Sequence, residues 1–397
     1  MFGLIKLPTK AHPGVLATLQ SAISESVEIN DIKPRHPLSL YRGLSKEWRP
    51  ALDSLVDIFF LIREAQSATY MHRPIEDVNR WHRRWLRYRF RYEMRARTAL
   101  SKFRAAKLTS AVTWNGQIGD PAIVAFALRQ LQVPTLFAEL SPFKGRYFLD
   151  HIGVNGASSL QAVRPEDLDP YEDEEQLYSQ LRKNYLGRRT STSALNDPKD
   201  LPQTFIFAPL QVPTDTQILL HGGGIRRHSE YLDILRQVLP NLPRGVTLVV
   251  KPHPMAPYPA AYLRDTIGRD IFVASDYEAR DLLERCAGIV TVNSSIGVDG
   301  FLFDKPVIAI GNAPWVKPAL ARQARTANEI AKAIADLPKF DKRLRQRFLA
   351  HWYHAYTWRE FDEPSVVRAF VERKLAAART IRPSSGQAGN TKHCQTM

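Results

Sequence analysis

The side chains that could do chemistry in this chain sit directly after short apolar runs. VTLVV (246–250) leads into Lys251, Pro252, His253 and Pro254. A lysine and a histidine in a proline-stiffened turn form a fixed cationic donor pair suited to a phosphate; an ordinary loop with an exposed His is the plain alternative. GIVTV (288–292) leads into Asn293, Ser294, Ser295, Ile296 and Gly297, and then into a helical pattern. Two hydroxyls and free N–H groups at a helix start suit one anionic group, although serine capping would use the same residues. TFIFA (204–208) leads into a loop offering one carboxylate, Asp215, among Gln211, Thr214, Thr216 and Gln217. An Asp turn is the alternative there. Earlier in the chain, SAVTW (110–114) ends at Asn115 and Gly116, and PTLFA (134–138) ends at Glu139. Each feature alone could be a turn or a surface charge. Five polar strand ends are harder to dismiss together.

Other chemistries find no support in the spacing. Gly222, Gly223 and Gly224 lack the pattern of a Walker loop or a dinucleotide loop and read as a flexible turn. No G-x-S-x-G elbow occurs, and no His/Cys/carboxylate cluster has metal-ligand spacing. Neither a metal nor another cofactor is expected. Two cysteines, Cys286 and Cys394, cannot build a disulfide framework and point to a reducing compartment.

The elements that must position these residues alternate. From residue 110, strand, helix and strand follow in turn, and a second series runs from 204 to 310, with strands expected at 204–208, 217–220, 246–250, 271–273, 288–292 and 306–310. Such alternation predicts parallel βαβ units. An α/β, GT-B-like architecture is expected, with two facing Rossmann-like domains, an additional basic N-terminal helix and C-terminal helices. The boundaries read as 1–200 for an acceptor-side domain and 201–330 for a nucleotide-sugar domain. Helices over 331–379 are expected to pack back across the domains, and 380–397 has the composition of a disordered tail. In open parallel sheets, ligands sit beyond the carboxyl ends of the strands, where the polar residues lie.

Of 397 residues, 44% are hydrophobic, enough for sizeable cores, and 55 Lys and Arg against 40 Asp and Glu call for an anionic partner. No run of eighteen apolar residues occurs, and the N-terminus lacks the long apolar stretch of a signal peptide, so a cytoplasmic, membrane-peripheral protein is expected. Residues 80–107 hold eleven Lys and Arg and one acid, Glu93. Within them Trp81, Trp85, Tyr88 and Tyr92 recur at helical spacing. Such a helix could lie on an anionic inner-membrane surface with its aromatics at headgroup level. Alternatively the stripe packs inward and the arginines are merely solvated. Nucleic acid would explain the charge but not the strand-end motifs.

The stretches FLDHIGVNGASS (148–159), FIFAPLQVPTDTQI (205–218), VVKPHP (249–254) and VTVNSSIGVDGFLFDKPVIAIG (290–311) resemble the capsule polysaccharide biosynthesis family, the KpsS/KpsC type of retaining β-Kdo transferases. The His-Pro and Ser-Ser turns also look like those of bacterial sialyltransferases that use CMP-sugars. The resemblance covers about half the chain. It implies transfer of Kdo from CMP-Kdo to a lipid-linked acceptor in capsule or surface polysaccharide biosynthesis, with retention and without a metal, possible contact with other capsule assembly proteins, and location on the inner face of the cytoplasmic membrane. In that family the aspartate after the first strand of the C-terminal domain resembles the catalytic nucleophile, here Asp215, and the acidic position after the N-domain strand falls on Glu139, a base or sugar-orienting group. Where KpsC-type proteins continue with Asp and Gly, this chain has Leu140 and Ser141, a register closer to the KpsS branch. Lys251, His253, Pro254, Asn293, Ser294, Ser295, Gly297, Gln211 and Gln217 would then serve the donor. Asp299 could accept from its ribose or be a plain helix-surface acid, and Asn115 and Asn155 are placed with the substrate. A CMP-sialate or other nonulosonate transferase, or a non-catalytic polyanion-binding module, are the competing readings.

Overall fold

The computed structural model describes residues 2–5, 18–19, 21–23, 26–28, 32–33, 48–57, 78–187, 196–359 and 362–380. The chain divides into two compact units, 1–159 with 356–397, and 160–355. Each carries its own mainly or wholly parallel sheet, so the two Rossmann-like α/β halves expected from the sequence are present.

In unit one, β1 (Phe2–Ile5), β2 (Ser26–Glu28), β3 (Ser110–Trp114) and β4 (Thr135–Leu140) run parallel, while β5 (Arg146–Asp150) pairs antiparallel with β4 and β12 (Thr357–Arg359) pairs antiparallel with β5 at the edge, in the order β12-β5-β4-β3-β1-β2. The period-2 geometry of a strand sends successive side chains to opposite faces. Ala111 accordingly joins a core with α1 (Val78–Ala105) and α2 (Gly119–Gln130), whereas Val112 joins a second core with Trp358 and with α11 (Pro364–Thr380).

The aromatic stripe of α1 faces inward. Tyr92 is buried with Ala96, Ala99 and Phe103, and Trp85 and Tyr88 pack against the same cluster. The Trp85 indole N–H donates to Asp57 at 2.7 Å. Arg89 pairs with Asp53 at 2.8 Å, Arg95 with Asp120 and Arg97 with Glu93. The membrane-facing aromatic stripe is thereby corrected: burying these rings removes more apolar area from water than a solvated face could. The Trp81 side chain lies outside the described residues.

Unit two is a six-stranded, wholly parallel sheet of β6 (Phe205–Pro209), β7 (Thr247–Lys251), β8 (Phe272–Val273), β9 (Gly288–Thr291), β10 (Val307–Ala309) and β11 (Arg322–Gln323), ordered β11-β10-β9-β6-β7-β8. The chain winds one way from β6 to β8 and the other way from β9 to β11. The direction therefore reverses between β6 and β9, the switch point at which such sheets open a ligand crevice.

The strand expected at 217–220 is a helix, α4 (Thr216–His221), because Asp215 caps it by accepting from the Gln217 N–H at 2.8 Å. The boundary expected near 200 falls at 159/160 instead. The reason is packing: on α3 (Glu174–Leu186) the Tyr178 hydroxyl donates to Asp304 at 2.8 Å, and Tyr185 meets Phe303 edge-on, both within unit two. The C-terminal helices do not form one block. α9 (Ala327–Ala335) and most of α10 (Lys342–Tyr356) stay in unit two, and α11 packs in unit one. Residues 58–63, 188–195 and 381–397, with Cys394 and the expected tail, lie outside the described residues.

His228, at the start of α5 (His228–Val238), is buried with its ring stacked on Tyr258, centroids 5.4 Å apart. Burial holds its pKa down to about 4 against an ordinary 6.5. Between these values the unfolded chain binds the proton and the folded one does not, so stability present above pH 6.5 is lost as pH falls toward 4. The loss should reach about 3 kcal/mol from this group. Urea-unfolding free energies should fall more steeply across that window for wild type than for His228→Phe; parallel profiles would refute the assignment.

Candidate active site

Three loops of unit two follow the adjacent strands β9, β6 and β7 at their carboxyl ends. Gln211, 5% exposed, links two of them. Its amide Nε2 donates to Asp215 Oδ2 at 2.9 Å and to Asn293 Oδ1 at 3.1 Å, and its Oε1 accepts from the Asn293 backbone N–H at 3.4 Å. Asn293 Nδ2 donates in turn to the carbonyls of Gln217 at 2.8 Å and His221 at 3.1 Å. The β6 loop, the β9 loop and α4 are thus pinned together across the switch point. Asp215 is held through both oxygens, one on the helix cap and one on Gln211.

His253 follows β7. Its Nδ1 accepts from the Met255 N–H at 3.1 Å, which leaves the proton of the neutral ring on Nε2. Burial lowers its pKa, and the Asp215 charge opposes that shift without reversing it. His253 is therefore a neutral N–H donor in the field of Asp215.

Lys251 is a different matter. Its ammonium donates to the carbonyls of Ala274 at 3.2 Å, Ser275 at 3.2 Å and Tyr277 at 2.6 Å. An ammonium has three donors. The Lys/His cationic pair expected from KPHP is corrected on this geometry: Lys251 fastens the strand end to the 274–277 segment, and His253 alone offers a donor.

Ser294 Oγ accepts from the Ile296 N–H at 3.3 Å, leaving its own hydrogen free to donate, and Ser295 is exposed at the start of α8 (Ile296–Leu302) with no side-chain cap bond. Gly297 packs rather than binds: a Cβ there would run into the Trp315 indole. Asp299 is half-buried in the first turn of α8, and Pro254 follows His253 in the exposed turn. Gln217 enters the network through its backbone, donating to Asp215 and accepting from Asn293. The glycine run has a packing role too. Gly223 has φ +68°, and a Cβ on it would press on the Ile310 carbonyl, while Asn312 N–H donates to His221 at 2.7 Å.

In unit one, Asn115 adopts φ +55° at the end of β3, and its Nδ2 donates to Glu139 Oε2. The other carboxylate oxygen of Glu139 accepts from the Leu140 N–H at 2.9 Å. Asn115 and Glu139, both singled out in the sequence, are thus in direct contact. Asn155 sits in a separate turn, also left-handed at φ +54°, with its carbonyl accepting from the Ser158 hydroxyl at 2.7 Å.

The sequence pattern missed a buried polar cluster beneath that turn. Asp150, 0% exposed, accepts from the N–H groups of Ile152 at 2.7 Å, Gly153 at 3.1 Å and Ser159 at 3.2 Å, and from the Ser159 hydroxyl. Ser159 also meets the Tyr356 hydroxyl at 2.9 Å. The Lys374 ammonium lies 3.4 Å from the Tyr356 ring centroid. Burial pushes the Lys374 pKa down to about 8, against the pull of Asp150. An Asp closing a strand before a glycine-bearing turn was the available signal, in HIGVNGASS (151–159).

Among the described residues no group of three or more His, Cys, Asp or Glu is arranged to hold a metal ion. Cys286 is buried, with its thiol pushed up to about 12, and is inert at neutral pH.

Residues 164–357 match the family model described as capsule polysaccharide biosynthesis protein, so the resemblance read from the sequence holds over that span. Protein FixF of Sinorhizobium fredii is 26% identical over 267 residues, 65% of this chain and 62% of FixF. The capsule polysaccharide export protein KpsS of Escherichia coli is 28% identical over 153 residues, 35% of this chain and 36% of KpsS. The matches thus span less than two thirds of the length of these relatives. Among solved structures, the β-Kdo 2,7 transferase of Thermosulfurimonas dismutans KpsC aligns with 70% of this chain and 88% of that one, at 15% identity and a TM-score of 0.46.

Proposed function

We propose, taking the match of residues 164–357 to capsule polysaccharide biosynthesis proteins as the premise, that this chain is a glycosyltransferase. In this reading it moves Kdo from CMP-Kdo to a lipid or glycolipid acceptor with retention of configuration. The observation that carries the reading is a carboxylate, Asp215, oriented by Gln211 beside a neutral histidine donor at the switch point of a parallel sheet.

The chemistry suits a monophosphate leaving group. An Asp215 oxygen attacks the anomeric carbon of the sugar, the bond from that carbon to the phosphate oxygen breaks, and CMP departs with the electron pair. His253 Nε2–H and the Ser294 and Ser295 hydroxyls donate to the phosphate as charge builds on it. An acceptor hydroxyl then attacks the same carbon, giving up its proton to water, and Asp215 is released; two displacements restore the configuration. In unit one, Asn115 holds the Glu139 carboxylate in one orientation, as a base or sugar-orienting group requires.

The test is CMP release from CMP-Kdo and CMP-sialate in the presence of lipid acceptors. Release with CMP-sialate alone would change the donor, and no release from folded protein would leave a polyanion-binding module. Calorimetry with CMP adds a check on the site. His253→Ala, and Ser294→Ala with Ser295→Ala, should each weaken CMP by roughly 10- to 150-fold, equal to about 1.5–3 kcal/mol for a charge-assisted hydrogen bond. With its pKa lowered by burial, His253 is already neutral near pH 7, so wild-type affinity should stay level from about pH 7 to pH 8. Unchanged affinity in the variants would make both turns structural.

A further inference from the structure

With its aromatic stripe spent on the core, helix α1 presents a second face that the sequence pattern does not single out. Leu86 and Phe90, one turn apart, are 47% and 65% exposed. Arg87 and Arg91, each next in sequence, are exposed too, and make no hydrogen bond or ion pair with the described residues. At 3.6 residues per turn these four positions fall on one side of the helix, opposite Trp85, Tyr92, Ala96 and Phe103. Arg89, Arg95 and Arg97 are matched to acids, whereas Arg87 and Arg91, beside the apolar pair, are not. No helix among the described residues is long and apolar enough to cross a membrane.

We infer that this face docks α1 on an anionic lipid bilayer, the helix lying in the plane of the interface with Leu86 and Phe90 at the acyl boundary and Arg87 and Arg91 on lipid phosphates. Apolar side chains flanked by arginine on one helical face have the chemistry of an interfacial helix: burial of the former drives insertion, and the latter select negative headgroups. A nucleic acid would use the arginines and could stack on Phe90, but it has no use for Leu86. The inference goes beyond sugar transfer and does not depend on it.

Sedimentation of the full chain with phosphatidylcholine vesicles, with and without phosphatidylglycerol, tests it. Binding is expected to the anionic vesicles alone and to weaken with added salt. Leu86→Ser with Phe90→Ser, and separately Arg87→Gln with Arg91→Gln, should each lower the partition coefficient by roughly tenfold or more. Circular dichroism should be unchanged, because all four side chains point to solvent. No vesicle binding by wild type, equal binding to both vesicle types, or an unchanged partition coefficient in the Leu86/Phe90 variant would overturn the inference. Binding to single-stranded RNA that the arginine variant loses, without vesicle binding, would assign the face to nucleic acid instead.

Discussion

Asp215→Asn is expected to lower sugar transfer by at least about a thousandfold while CMP still binds, the scale seen when a nucleophile is removed from an otherwise intact site. The substitution separates the chemical role of this residue from its structural one. Asp215 caps α4 through one oxygen and accepts from Gln211 through the other. Asparagine is as good a cap as aspartate, so the start of the helix should survive, although its amide nitrogen cannot accept from Gln211 and that one bond is lost; an amide cannot form the glycosyl-enzyme. Asp215→Ala should be equally inactive and also lose about 1 kcal/mol of capping stability. CMP affinity should hold in both variants because the proposed phosphate donors belong to other loops. Wild-type protein given CMP-Kdo without acceptor should show a sugar adduct, by mass spectrometry, on the peptide containing residue 215. An adduct on Glu139, or full activity of the Asn variant, would reverse the roles.

Asp150→Ala should be the most damaging single change to unit one, costing about 3–5 kcal/mol. It leaves three backbone N–H groups unpaired in the interior and the Ser159 hydroxyl with Tyr356 alone, and it strips the buried Lys374 ammonium of the opposing charge of Asp150. Hydrogen exchange in β5 and α11 reads the local loss without assuming that the two units unfold together. Lys374→Met added to Asp150→Ala should recover part of the cost, since the uncompensated ammonium is then gone. Simple additivity of the two substitutions would mean that Asp150 and Lys374 are uncoupled.

Much of the candidate site was legible because parallel strands announce their own ends. Apolar runs of the right length placed Asn115, Asp215, His253 and Asn293 after β3, β6, β7 and β9 and Glu139 near the end of β4, which runs one residue beyond it, and two contacts among such residues follow: Asn115 with Glu139, and Asn293 with Asp215 through Gln211. Residue type did not tell where a side chain spends its donors. Lys251 looked like a phosphate ligand beside His253, yet its ammonium is saturated by carbonyls from a segment some twenty residues downstream. The apolar residues at 217–220 suit a strand as well as a helix, and the decision came from the carboxylate just before them capping the first turn.

What the sequence by itself determined is therefore local and periodic: the α/β alternation, the strand ends, the basic helix, and the match to a family along part of the chain. Those follow from backbone geometry and side-chain polarity, which act over a few residues. The tertiary structure alone decided which face of α1 is buried, since either side of a helix rich in both aromatics and arginine can face water until a partner surface exists. It also decided the path by which the chain leaves unit two and returns to unit one, placing Lys374 against Tyr356 and within the field of Asp150. No short-range pattern encodes that cluster, because its members are distant in sequence and only the closing of the sheet by β12, with α11 packed on the same core, brings them together.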